Sequence, residues 1–149
     1  MSVTTAEAFA AVRVRLDAGS YSFPLYYHGD EPLILPDTPS EFGFVVFNNE
    51  GSTLVAFGGG RGNNTYRNRA RVEVFVFAPI STGMEYVTSL AETVGAQLRS
   101  YRDDSISCFE SDVIPVGPGS TLGVPGLSSD VNNYMCAIVE SILTFDLIG

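Results

Sequence analysis

One histidine, His28, and two cysteines, Cys108 and Cys136, are the residues best able to carry nucleophilic or metal chemistry in this chain. A Ser-His-Asp or Cys-His arrangement would have to use His28, and no serine stands in the G-x-S-x-G turn that lifts a nucleophile above a sheet. His28 follows Tyr26-Tyr27, where a half-buried histidine at a strand end is expected. The cysteines are 28 positions apart, with no C-x-x-C pair and no second histidine, so a tetrahedral zinc set lacks ligands. Two reduced thiols in or near a core are expected instead. Asp103-Asp104 follow a helix, which is a cap-and-turn pattern, and no cation site completes them as an acid/base pair. Gly58-Gly59-Gly60-Arg61-Gly62 lacks the Lys-Ser/Thr ending of a phosphate loop and runs into a strand, not a helix N-terminus. It reads as a mobile hairpin or a protein-contact loop. Asn63-Asn64-Thr65 fits the glycosylation sequon, which has meaning only in a secreted chain. The expectation is a protein without enzymatic activity, cofactor or metal.

Arginine is the one unusual chemical feature. Four of the eight, Arg61, Arg67, Arg69 and Arg71, fall within eleven positions, interleaved with Tyr66, and the chain has no lysine. One reading is a solvated loop whose guanidinium groups pair with Glu50 or Glu73. The other is a cationic contact patch for an acidic neighbour, where the bidentate geometry of Arg is favoured. Against these eight cations stand 17 acidic residues, giving a net charge of -9 and a pI of about 4.3. Nucleic-acid binding draws on counterion release at a basic surface, so a dedicated DNA-binding protein is not expected.

These residues need elements to hold them. Thr4 and Glu7 have capping-box spacing, and Phe9, Val12 and Leu16 recur at helical intervals, predicting a helix over about 5–18. Tyr21 to His28 reads as an edge or irregular strand, interrupted by Pro24. Gly29 to Ser40, with Pro32, Pro36 and Pro39, reads as an extended connection. Phe42–Phe47 and Ser52–Phe57 flank Asn48-Asn49-Glu50-Gly51, a composition that closes hairpins. Arg69 to Ala78 is the strongest strand, with Val72, Val74 and Val76 on one face and Arg71, Glu73, Phe75 and Phe77 on the other. Thr82 and Glu85 suggest a second capping box opening a helix to about Tyr101, with the stripe Met84, Val87, Leu90, Ala91, Val94 and Leu98. Ile106–Phe109 and Asp112–Val116 read as short paired strands, and Gly117 to Asn132 as a long loop. Asn133 to Ile148 reads as a long strand in a central or cross-sheet position, with Met135, Ala137, Val139, Ser141, Leu143, Phe145 and Leu147 on one face.

The sum is one α+β domain over 1–149, two helices packed on an antiparallel or mixed β-sheet. A chain of this length buries roughly 68–70% of its unfolded surface, and 45% hydrophobic residues with 10 Phe and 7 Tyr suffice for the core. No apolar run approaches the roughly 20 residues of a membrane span. The first residues lack a basic stretch ahead of an apolar one, so no signal peptide and cytoplasmic synthesis are expected.

The A-x-x-x-V-R-x-R-L rhythm of the first helix leads to an aromatic strand and a Pro-rich stretch. A V-E-V-F-V-F-A-P strand then enters the helix with L-A-E-T-V-G-A-Q-L-R, and a long alternating strand ends the chain. This order resembles the tail-terminator proteins of long-tailed bacteriophages and gene-transfer particles, over essentially the whole chain and chiefly at Val72 to Arg99. The resemblance implies a homo-hexameric ring at the head-tail junction of a virion. Such a ring sits on the tail tube protein, stops its polymerisation and meets head-completion or neck proteins. DNA would cross its lumen as passing cargo without specific binding, which an acidic wall favours, and no membrane is involved. Ring closure would be heterologous, with the Arg61–Arg71 region set against an acidic surface such as Asp103-Asp104. A head-tail connector or tube component shares this format and is the alternative; a dimeric ligand-binding regulatory domain is the rival from another class.

Overall fold

The computed structural model describes residues 2–30, 33–56, 58–118 and 133–149. In chain order the elements are α1 (Thr5–Asp17), β1 (Leu25–Tyr27), β2 (Phe42–Ala56), β3 (Thr65–Pro79), α2 (Met84–Leu98), β4 (Ser107–Pro118) and β5 (Tyr134–Ile148). The strands form one mixed sheet in the order β1-β2-β3-β5-β4. Only the short β1–β2 pair is parallel; the other three ladders are antiparallel. The fold is α+β, with β5 interior to the sheet as its alternating pattern requires.

Both helices lie on one face. α1 opens with the expected capping box, in which Glu7 N–H donates to Thr4 Oγ1 (3.2 Å) and Thr4 N–H to Glu7 Oε2 (2.7 Å). Ala8, Val12 and Leu16 are its buried stripe, and Phe9 stacks on Phe47 of β2 with ring centroids 4.9 Å apart. α2 buries Val87, Leu90, Ala91, Val94, Gly95 and Leu98. Beneath them lie Val72, Val74 and Val76 of β3 and Ala137, Val139, Leu143 and Phe145 of β5. Arg15 ties the helices together. Its Nε donates to the Gln97 carbonyl (2.8 Å) and its guanidinium lies 4.3 Å from the Tyr101 ring centroid.

The opposite face has two halves. One is a second apolar layer of Phe42, Phe44, Val46, Phe75, Phe77, Tyr134 and Cys136, against which Leu33, Leu35, Val116 and Ile138 pack. Leu33 and Leu35 belong to the proline-rich connection, which therefore has a packing role. The other half is charged and forms the candidate site described below.

Several boundaries differ from the sequence reading. Asn48-Asn49-Glu50-Gly51 does not close a hairpin: β2 runs through it, with a register shift between Asn49 and Gly51 that leaves Glu50 without a direct partner on β3. Residues that tolerate positive φ suit a bulge as well as a turn. The strands are instead joined across the Gly58–Asn64 stretch. Thr82 does not cap α2: it lies in a 3-10 turn, its hydroxyl donates to the Pro79 carbonyl (2.6 Å), and Gly83 at φ +84° begins the helix. β1 spans three residues of the longer strand expected, and β4 is one bulged strand, not two. The expected Gly117–Asn132 loop lies, from 119 onward, outside the described residues. His28 is exposed, not half-buried, with its ring centroid 6.2 Å from that of Phe44.

Candidate assembly interface

Alternation along β3 sends Arg67, Arg69 and Arg71 to the helix-free face, while the same alternation turns Tyr66, opposite Leu54 and Leu147, to the helix-bearing face. Tyr66 is therefore not part of the arginine surface. Arg67 forms a bidentate pair with Asp146 of β5, both bonds 2.9 Å. Arg69 reaches Glu50 at 3.4 Å. Arg71 stands among three carboxylates, Glu73 at 3.2 Å, Glu50 at 3.4 Å and Glu140 at 3.6 Å. The expected pairing with Glu50 and Glu73 is thus present, and the bulge at Glu50 is what brings that carboxylate to two arginines. Arg67 and Arg69 nevertheless keep 55% and 59% of their side chains exposed. Arg61, in the Gly58–Asn64 stretch, is exposed and makes no ion pair among the described residues.

The register shows what spacing could not. Glu73 stands opposite Glu140 across β3 and β5, and Glu140 opposite Asp112 across β5 and β4. Three carboxylates therefore form one row, and like charges directly opposite are unfavourable. Arg71 offsets the first two. Asp112, at the β4 end, is exposed and has no cation beside it among the described residues. The helix-free face thus runs from arginine-rich at the β2–β3 hairpin to acidic at β4.

Asp103 is occupied within its own turn. Its Oδ1 accepts from Ser105 N–H (2.7 Å) and Ile106 N–H (2.8 Å), and its Oδ2 from the Tyr101 hydroxyl (3.1 Å). Asp104 is exposed beside it. Arg67, Arg102, Asp103, Asp104 and Asp146 all line one cleft of about 190 Å³. Arg67 and the Asp103-Asp104 turn therefore belong to one surface of one subunit, not to two opposed surfaces.

The pair with Arg67 holds the Asp146 carboxyl below its ordinary value of 3.8. A depressed carboxyl stabilises the fold above its unfolded pKa and loses that contribution as pH falls through the folded value. The stability difference between the parent and Arg67→Met is therefore expected to be present at pH 6, to begin to shrink at about pH 4 and to disappear only once the pH is well below the ordinary carboxyl value, as thermal melts at a series of pH values would show.

Among the described residues no three His, Cys, Asp or Glu side chains are grouped to hold a metal ion. Cys108 and Cys136 are free and buried, and burial pushes their thiols up to about 11 and about 12. Both are expected to resist a thiol reagent at pH 8 in the folded protein and to react fully in denaturant; one fast-reacting thiol in native buffer would contradict this. A groove of about 750 Å³ between α1 and β1 is crossed by the Arg13–Asp30 pair (2.6 Å) and by the Tyr27 hydroxyl donating to Asp17 (2.6 Å). Its polar groups thus satisfy one another. No helix among the described residues is long and apolar enough to cross a membrane.

The chain matches no protein-family model and no curated protein. The residues that spacing missed, Asp112, Glu140 and Asp146, became visible only through strand register.

Proposed function

We propose that this protein is a virion structural protein, a tail terminator that assembles as a homo-hexameric ring at the head-tail junction. The observation that carries the reading is the β3–α2 block. The strand ending in Ala78-Pro79 enters α2 through one short turn, and this is the block on which the resemblance to tail terminators chiefly rests. Two further features support it. The helix-free face and the free sheet edges offer a rigid subunit different surfaces for two neighbours, as a heterologous ring requires. The net charge of -9 suits a lumen that DNA must traverse without adhering. In this reading the chain has no catalytic role; its partners are copies of itself, the tail tube protein and head-completion or neck proteins. Host-cytoplasmic synthesis precedes incorporation into the virion.

The test is to add the protein to polymerising subunits of the tube protein of the same particle and to image tube length by electron microscopy. Tubes that stop growing and carry the added protein at one end are the expected result. Tubes that grow past it, or that incorporate it along their length, would sink the proposal and favour a tube component.

A further inference from the structure

Of the two outer strands that could accept a neighbour, β4 is blocked over part of its length and β2 is open over most of its own. Among the described residues β1 covers only Gly43–Val45 of β2, which leaves residues 46–56 as an edge there. That stretch has two register shifts of its own, but no proline and no lysine; its only charge is Glu50, and Leu54 and Val55 are 46% and 48% exposed. Natural edges are usually blunted by charge, proline, bulges or a covering segment, and β4 shows all of these. Pro115 and Pro118 stand in it, and it has two register shifts. Residues 100–102 hydrogen-bond beside its start, with Ser100 N–H donating to Phe109 O (2.9 Å) and Cys108 N–H to Tyr101 O (2.7 Å). The remaining part is short, 110–114, and it bears the two exposed carboxylates Glu110 and Asp112; the Ser111 carbonyl accepts from the Arg99 guanidinium (3.3 Å) and the Glu110 carbonyl from the Ser141 hydroxyl (2.9 Å), so a neighbouring strand would pair through the other backbone groups.

We propose that residues 46–56 of β2 in one copy receive residues 110–114 of β4 from a second copy, continuing the sheet between subunits and setting Glu110 and Asp112 against Arg67 and Arg69. This rests on the ring reading above and names its subunit contact. Direction permits it. β2, β3, β5 and β4 alternate strictly, so β4 runs opposite to β2. A copy rotated about an axis inclined to the strands, as in a closed barrel, therefore meets the next in an antiparallel pair, and the incline slides Asp112 along β2 from the level of Val46 to that of Gly51. Side-chain size permits it too. The β2 residues opposite Arg69 and Arg67 are Gly51 and Thr53, small enough for both guanidinium groups to reach over β2 towards a strand roughly 10 Å from β3. Charge favours it: the hairpin's half-exposed arginines meet the one end of the Glu73–Glu140–Asp112 row that lacks a cation.

The experiment is a disulfide trap. In Thr53→Cys plus Glu110→Cys, which stand opposite each other in this register between copies, the two positions within one copy are separated by β3 and β5, about 14 Å by strand spacing, beyond the roughly 7 Å that a disulfide spans. The native cysteines are buried. Oxidation at increasing concentration is expected to give a ladder of covalent multimers ending at six on a non-reducing gel. Each single variant alone should stay monomeric, and the two mixed should stop at dimers. Glu110→Arg plus Asp112→Arg, which alters only exposed side chains, should lower the assembled fraction about tenfold at a fixed concentration. A hexamer by light scattering without the ladder would overturn the edge pairing and leave the ring. No ladder and no hexamer at any concentration would overturn both, and a ladder running past six would keep the pairing and remove the closed ring.

Discussion

Phe77→Ala is expected to destabilise the protein by about 3–5 kcal/mol and to lower its melting temperature by roughly 6–20 °C. Phe77 is fully buried on the helix-free face, stacked on Phe42 at 4.8 Å and edge-on to Tyr134 at 6.1 Å between ring centroids. Among the described residues no helix covers this layer, and Leu33, Leu35, Val116 and Ile138 pack against it. Truncation therefore opens a cavity beneath a thin cover while leaving two aromatic partners with exposed faces. Differential scanning calorimetry checks the figure. A loss below about 1 kcal/mol would mean that this layer collapses around the deletion and contributes little specific packing.

Arg71→Met is the second large effect, for an electrostatic reason. The substitution keeps most of the aliphatic stem and removes the one cation shared by Glu50, Glu73 and Glu140, which leaves two carboxylates facing each other across β3 and β5. Because the Arg71 side chain is 36% exposed, solvent screens part of the loss, and about 1–2 kcal/mol is expected. Adding Glu140→Gln should recover a substantial share in the Arg71→Met background, yet be costly or neutral in the parent. Chemical denaturation of the four proteins in the cycle measures this coupling. Strict additivity would show that the network is a surface arrangement without energetic consequence.

Periodicity made the central elements readable. The three-to-four spacing of Val87, Leu90, Ala91, Val94 and Leu98 has one helical solution, and alternation put residues 71–77 of β3 and the Met135-to-Leu147 set of β5 on the faces they occupy, whereas Tyr66, outside the strand as read, was grouped with the arginines of the opposite face. Errors fell where one residue type serves two backbone purposes. Asn49 and Gly51 suit a hairpin turn and a bulge equally, so β2 was expected to end where it only kinks. Thr82 fits a cap by type, but its hydroxyl is already committed to Pro79. At the candidate site the local pairs of Arg71 were legible because Glu50 and Glu73 are near in sequence and share its face. Arg67 with Asp146, 79 positions apart, was not. Nor was the acidic row, which exists only because β5 inserts between β3 and β4. Asp103-Asp104 were legible as a turn, and Asp103 does spend its carboxylate on that turn, which leaves only Asp104 of the pair for the acidic contact that the resemblance suggested.

The assembly reading and the edge pairing differ in what they need from the same surface. A ring needs any two complementary faces, whereas the edge pairing needs the backbone of β2 and the carboxylates of β4. Arg67→Met therefore separates fold from assembly only together with the acid titration described above, since this residue also steadies β5 through Asp146.

Negative-stain electron microscopy of the purified protein over a concentration series, with mass from light scattering, tests the central claim most directly. Closed six-fold rings with a central hole and a mass six times 16.0 kDa are the expected result. Twelve-fold rings, open-ended tubes, or a species that stays monomeric or dimeric at every concentration would contradict it.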